Sequence, residues 1–403
     1  MAVFRFVLDC TRCLTVGGNA YRAWLALLAL GVLVGTAAYG LQLRNGLVVT
    51  GMSDQVSWGF YIANFAFLVG IAAAAVLLVI PAYVFHRSDV KSLVVLGEGL
   101  AVAAVIGAMT FVLVDIGRPE RFWHMLPLIG RFNFPRSMLA WDVLVLTGYL
   151  LLNVGLPFYL LYCRYQQREP VTARYLPFVL LAIVWAISIH TVTAFLFSAS
   201  SARPFWNMAL LAPRFIATAF VSGPALIILV LKTLRRVAGV PVAQGVIDLL
   251  ALIMMFALQI SLFFVLAEGF TAFYNEGWHS ASVRYLYFGL HGATALRGPI
   301  WCALALNVGA VTLLSLRRLR ERPRLLNVAC VLAFIGIWIE KGLGLVVPGF
   351  IPTPLGEIFE YRPTAVELAI AVGIWALGAL VFTLLARASI AVERGEVRAA
   401  GLD

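Results

Sequence analysis

Apolar residues along the chain gather into ten long runs, at about 23–43, 56–84, 92–115, 138–162, 175–199, 213–231, 245–274, 298–316, 325–347 and 365–386. A helix needs about 20 such residues to cross hydrocarbon. The pattern therefore predicts an all-α polytopic membrane protein of ten helices, and residues 1–403 as a single integral membrane domain with no room for a soluble one. Pro157, Pro177, Gly223-Pro224 and Gly298-Pro299 fall inside the runs. A bundle accepts them because neighbouring helices re-satisfy the freed backbone groups.

Composition agrees with the pattern. Of 403 residues, 62% are hydrophobic and 12% charged, with a mean hydropathy of +0.96, values that exclude a soluble globular chain. The net charge of +11 would suggest nucleic acid in a soluble protein. Here the basic residues stand at the ends of the runs, where they set orientation, and no nucleic-acid partner is expected. Nineteen Lys and Arg lie on the terminal segments and even-numbered loops, among them Arg317, Arg318, Arg320, Arg322 and Arg324, against ten on the odd loops. That bias predicts both termini on the cytoplasmic side of a bacterial or archaeal inner membrane. No removable signal peptide is expected at the amino terminus.

The stretch Val114-Asp115-Ile116-Gly117-Arg118-Pro119 closes the third run by setting a carboxylate at the edge of hydrocarbon, with a guanidinium three residues on. An ionisable group at that depth is costly and marks a site unless it is a wetted helix end. With orientation assigned, other polar residues fall toward the same outer level: Asn64 behind Trp58, Asp142 after Trp141, His190 near Thr191, and later Glu268, His291, Arg297, Glu340, Lys341 and Glu367. Glu98 alone lies toward the cytoplasm, as a possible start of a proton path. Glu340 and Lys341, being adjacent, point about 100° apart and are each expected to find a partner on another helix.

A carboxylate and an imidazole at the edge of hydrocarbon suit a molecule with an apolar tail and a small redox head, a quinone. Quinol oxidation releases protons as well as electrons, and Asp115 and His190 are the side-chain types that accept them. The expectation is one pocket bounded by both. No resident cofactor is expected. The five histidines (His86, His124, His190, His279, His291) include only one well inside a span, too few for bis-histidine haem. Cys10-x-x-Cys13 stands without the pattern of an iron–sulfur, zinc or covalent haem site, so no metal is expected, and no glycine pattern points to a flavin or nicotinamide dinucleotide. An electron carrier must then sit on a partner subunit. The outer loop 116–137, with Arg121, Trp123, His124, Arg131 and Arg136, is the candidate docking face.

Four segments carry a resemblance: Gly51-Met52-Ser53-Asp54-Gln55-Val56-Ser57-Trp58-Gly59-Phe60-Tyr61-Ile62-Ala63-Asn64-Phe65; Asp115-Ile116-Gly117-Arg118-Pro119; Asn133-Phe134-Pro135-Arg136-Ser137-Met138-Leu139-Ala140-Trp141-Asp142; and His190-Thr191-Val192-Thr193-Ala194-Phe195. In these the chain resembles the NrfD/PsrC membrane subunits, most of all the DsrP type of sulfur-metabolising DsrMKJOP complexes, with HmcC and HybB types next. The resemblance implies two four-helix bundles, from helices two to five and six to nine, with one further helix at each end. It implies menaquinone as substrate, a cofactor-free chain within an oxidoreductase complex, a periplasmic ferredoxin-like iron–sulfur partner and further redox subunits. Asp115 and Arg118 inherit a quinone-site role, Trp58 and Asn64 inherit pocket positions, and His190 follows by helix position. Asp142 and Thr191 are added as quinone-site candidates. A proton-coupled secondary transporter and a purely structural anchor stand as the alternatives.

Overall fold

The computed structural model describes residues 2–125, 129–274 and 277–399. Ten helices among them are long and apolar enough to span a membrane. They are α1 (Asn19–Asn45), α2 (Phe60–Val84), α3 (Val94–Asp115), α4 (Met138–Tyr165), α5 (Thr172–Ser198), α6 (Leu211–Val237), α7 (Gln244–Tyr274), α8 (Arg297–Ser315), α9 (Pro323–Phe350) and α10 (Ala365–Glu393). Each coincides with one expected run to within a few residues at either end, and the protein is an all-α, multi-pass integral membrane protein.

Packing divides the helices as the resemblance implies. α2, α3, α4 and α5 close one four-helix ring and α6, α7, α8 and α9 another, joined mainly where α6 meets α2 and α5. The flanking helices differ from the expectation of one at each end. α1 and α10 pack on each other and lie together against α3, on one side of the first ring. Glycines permit this pairing: a Cβ on Gly35 would stand 2.5 Å from the Cα of Gly373, and the reverse is equally true. Small residues at a crossing let two backbones approach within a bilayer.

Burial follows position. In α2, 94% of the most apolar window is inside the protein, against 17% in α1. A helix apolar on every face belongs either in a core or in lipid. α2 is the core case and α1 the lipid case. The ends of α1, α3, α5, α7 and α9 and the starts of α2, α4, α6, α8 and α10 share one face, here called the loop face. The arginines of 317–324 lie at the opposite face. A separate amphipathic helix, Ala2–Leu14, packs Phe6 against Phe158, Tyr162 and Tyr165 of α4.

Candidate functional site at the loop face

The last turn of any helix leaves carbonyls without partners inside it. At the end of α3, Val114 solves this through α1: the buried Gln42 amide donates to its carbonyl at 2.7 Å, while the Gln42 oxygen accepts from the Tyr61 hydroxyl of α2 at 2.6 Å. Asp115 follows. One of its carboxylate oxygens, Oδ1, is buried with no hydrogen-bond partner among the described residues. Its charged neighbour is Glu367 of α10.

Glu367 is fully buried and fully engaged. It accepts from the Gly51 N–H at 2.7 Å, from the Thr364 N–H at 2.8 Å and from the Tyr361 hydroxyl at 2.5 Å. The Tyr361 oxygen in turn accepts from the N–H of Phe60, the first residue of α2, at 2.7 Å. Burial, with the adjacent carboxylate, pushes the Tyr361 phenol far above its ordinary range, so it remains a donor. Gly59 is required here, since a Cβ would lie 2.4 Å from the Tyr361 ring. This acid therefore ties the first motif segment to the α9–α10 loop.

Beside this network is a cavity of about 240 Å³, walled by Tyr39, Gln42 and Leu47 on the α1 side and by residues 116–120 on the other. Arg118 lines it with a mostly exposed side chain, 3.7 Å from Glu120.

The other candidates lie across α2. Trp58 stacks on Trp206 at 5.5 Å and meets Phe197 and Phe350 edge-on, at the wall of a second, open cavity of about 420 Å³ that Ser57, Ser200 and Arg203 also line. Asp142 is buried and accepts from the Thr193 hydroxyl at 2.6 Å. Thr191, the residue expected from sequence, bonds back to the Ile187 carbonyl of its own helix. Thr193 is three residues past His190 and so shares its face, a periodicity that could have singled it out. His190 is buried, with neither ring nitrogen bonded to a described residue, and its charged neighbour is Lys341 of α9.

Asp115 and His190 therefore do not share a pocket. Tyr61, close to Asp115, and Gly70, against which the Lys341 amine rests, are nine residues apart on α2. That spacing is about 13.5 Å along the axis and half a turn around it, placing the two neighbourhoods on opposite faces of α2. The single pocket expected from sequence is replaced by two clusters divided by this helix.

Asn64 lies between them in the core, its oxygen accepting from the indoles of Trp338 at 3.0 Å and Trp375 at 2.9 Å. Glu98 is buried in the first ring with Oε2 unpartnered and Tyr83 and Tyr149 as neighbours. Glu340 does find its partner on another helix, Arg214 of α6, at 3.0 Å. In the loop 116–137, Arg121, Trp123, His124, Arg131 and Arg136 are all exposed, and Trp123 and His124 pack ring to ring at 3.9 Å. Leu126, Pro127 and Leu128 of that loop lie outside the described residues.

Similarity to known proteins extends over most of the chain. The family model described as polysulphide reductase, NrfD, matches residues 48–351. The chain is 29% identical over 412 positions to a putative membrane protein of Halobacterium salinarum, the C subunit of its dimethyl sulfoxide reductase, with 90% of each chain covered. It is 22% identical to the C subunit of the selenate reductase of Mesobacillus selenatarsenatis and 25% identical to the Hdr-like menaquinol oxidoreductase integral membrane subunit of Archaeoglobus fulgidus. Each of these alignments covers 90% of this chain and 92% of the relative.

Proposed function

This chain belongs to the polysulphide reductase, NrfD family, and from that premise we propose that it is the membrane subunit of a redox complex exchanging electrons with menaquinone. The observation that carries the reading is the cavity walled by Gln42 and residues 116–120, set beside an Asp115 carboxylate whose Oδ1 is buried and unpaired. An apolar-tailed head can reach such a cavity from lipid, since α1 on its flank is largely exposed. Oxidising the quinol releases two electrons and two protons. Asp115 accepts a proton from the ring hydroxyl, Gln42 and Tyr61 hold the helix ends around it, and Arg118 contacts the head from the rim.

The electrons leave through an iron–sulfur subunit docked on the exposed arginines and aromatics of loop 116–137, on the periplasmic side. Both termini then lie in the cytoplasm, in keeping with the excess of Lys and Arg on that side. The relative named as a menaquinol oxidoreductase subunit supports the choice of quinone. A DsrP-type sulfur complex is the finer placement we adopt, on the strength of the four motif segments.

The test is quinol-dependent turnover of the assembled complex carrying Asp115→Asn. Removal of a proton acceptor predicts a loss of about 100-fold or more with assembly intact. Unchanged turnover would leave a structural anchor, and solute uptake into vesicles by the chain alone would point to a transporter.

A further inference from the structure

Ionised side chains are rare and costly inside a membrane bundle, yet the second ring gathers four. Arg214 of α6 forks between Glu268 of α7 and Glu340 of α9, and the other oxygen of Glu340 accepts from Asn307 of α8 at 2.9 Å. Tyr287 is the other titratable group beside them. Lys341, the next residue, turns away from this network. Its amine rests 4.3 Å from the Phe215 ring centre and donates to the Phe215 carbonyl at 3.3 Å, with no carboxylate in ion-pair contact among the described residues. It faces the first ring, where its neighbours are Gly70 of α2 and the unbonded imidazole of His190.

The backbone breaks at the same point. The first stretch of α9 ends at Lys341, Gly342 takes a ψ of −105°, and the helix resumes at Leu343. A Cβ on Gly342 would stand 2.5 Å from the Trp338 carbonyl. Interrupted helices with ionisable groups at the break are where membrane proteins bind and pass ions.

Charge counting gives this cluster a chemistry. Arg214, Glu268 and Glu340 together carry one net negative charge. One proton on either Lys341 or His190 neutralises the group, whereas a proton on both leaves a buried net positive charge. We propose that Lys341 and His190 share one exchangeable proton across the junction of the two rings. The cluster is then a proton-loading site for protons beyond those the quinol itself carries. In the handover a proton leaves the imidazolium nitrogen for the neutral Lys341 amine, giving neutral imidazole and ammonium, and no electron moves. The quinone reading above supplies only the reaction that drives the cycle.

The shared proton can be read without turnover. In the purified chain, the ¹⁵N signal of His190 is expected to be that of neutral imidazole, and in Lys341→Met that of imidazolium at the same neutral pH. The same signal in both proteins overturns the proposal, whatever becomes of the quinone site. Lys341→Arg guards against misfolding, because it keeps the positive charge but cannot release its proton. In liposomes holding the assembled complex, this variant should still oxidise quinol while the protons moved per quinol fall to the two that the quinol releases. A wild-type ratio already at that value, or an undiminished ratio in Lys341→Arg, also refutes it.

Discussion

A single amide at the centre of the protein shows how polar groups are used here. Asn64 donates to the Phe60 carbonyl at 2.8 Å and its oxygen accepts two indole N–H groups, so α2, α9 and α10 meet on one side chain. Asn64→Leu keeps the volume but leaves both indoles without an acceptor, at about 1–3 kcal/mol for each buried donor. The purified chain should melt at a clearly lower temperature, while Asn64→Asp, which retains acceptor oxygens, should lose less. A leucine variant as stable as the parent would show that the indoles find other partners. At this scale the sequence was legible in type but not in partnership. Asp115 stood out because a carboxylate interrupts an apolar run, a local signal. That Glu367 is held by Tyr361, Gly51 and Thr364 depends on loops about 300 positions apart in the chain, which no spacing rule reaches. His190 was a sound candidate by type and depth, and only the half-turn of α2 between its cluster and that of Asp115 separates the two.

The same distinction governs whole helices. All ten spans could be read because crossing a bilayer is a property of each run by itself. The pairing of α1 with α10 could not, since the two lie at opposite ends of the chain and their contact depends on a face of small residues. Gly31 and Gly35 are four apart on α1, and a Cβ on either would meet Ala376 at 2.8 Å or Gly373 at 2.5 Å. Gly35→Leu should therefore force α1 away from α10. Cysteines placed across the crossing should cross-link poorly in this variant, and its melting temperature should drop. Gly40, also on α1, has nothing within 4 Å of an added Cβ, so Gly40→Ala should leave both measurements unchanged. Equal effects from the two substitutions would mean that helix propensity, not the crossing, is being measured. The crossing also has a consequence for the site, because α1 contributes Gln42 and α10 contributes Glu367 on either side of Asp115.

At the scale of the whole molecule, the loop face and the arginine-rich face differ in what a partner would meet. Arg121, Arg131 and Arg136 are exposed beside Phe122, Trp123 and Phe134 and make no ion pair among the described residues. Arg318, Arg322 and Arg324 are exposed at the opposite face, on a segment with far fewer aromatics. Charges at the rim of an interface act mainly on the rate of encounter and are screened by salt. If the electron-carrying subunit docks on loop 116–137, the triple reversal Arg121→Glu, Arg131→Glu and Arg136→Glu should weaken its association by about 10-fold or more at low ionic strength, and by less as salt is added. The chain's own melting temperature should stay put, since none of the three side chains supports the fold. The matching reversal of Arg318, Arg322 and Arg324 should leave that association intact. Equal losses from both triplets would mean that overall charge, and not this loop, governs assembly, and a loss indifferent to salt would place the binding energy in the aromatics instead.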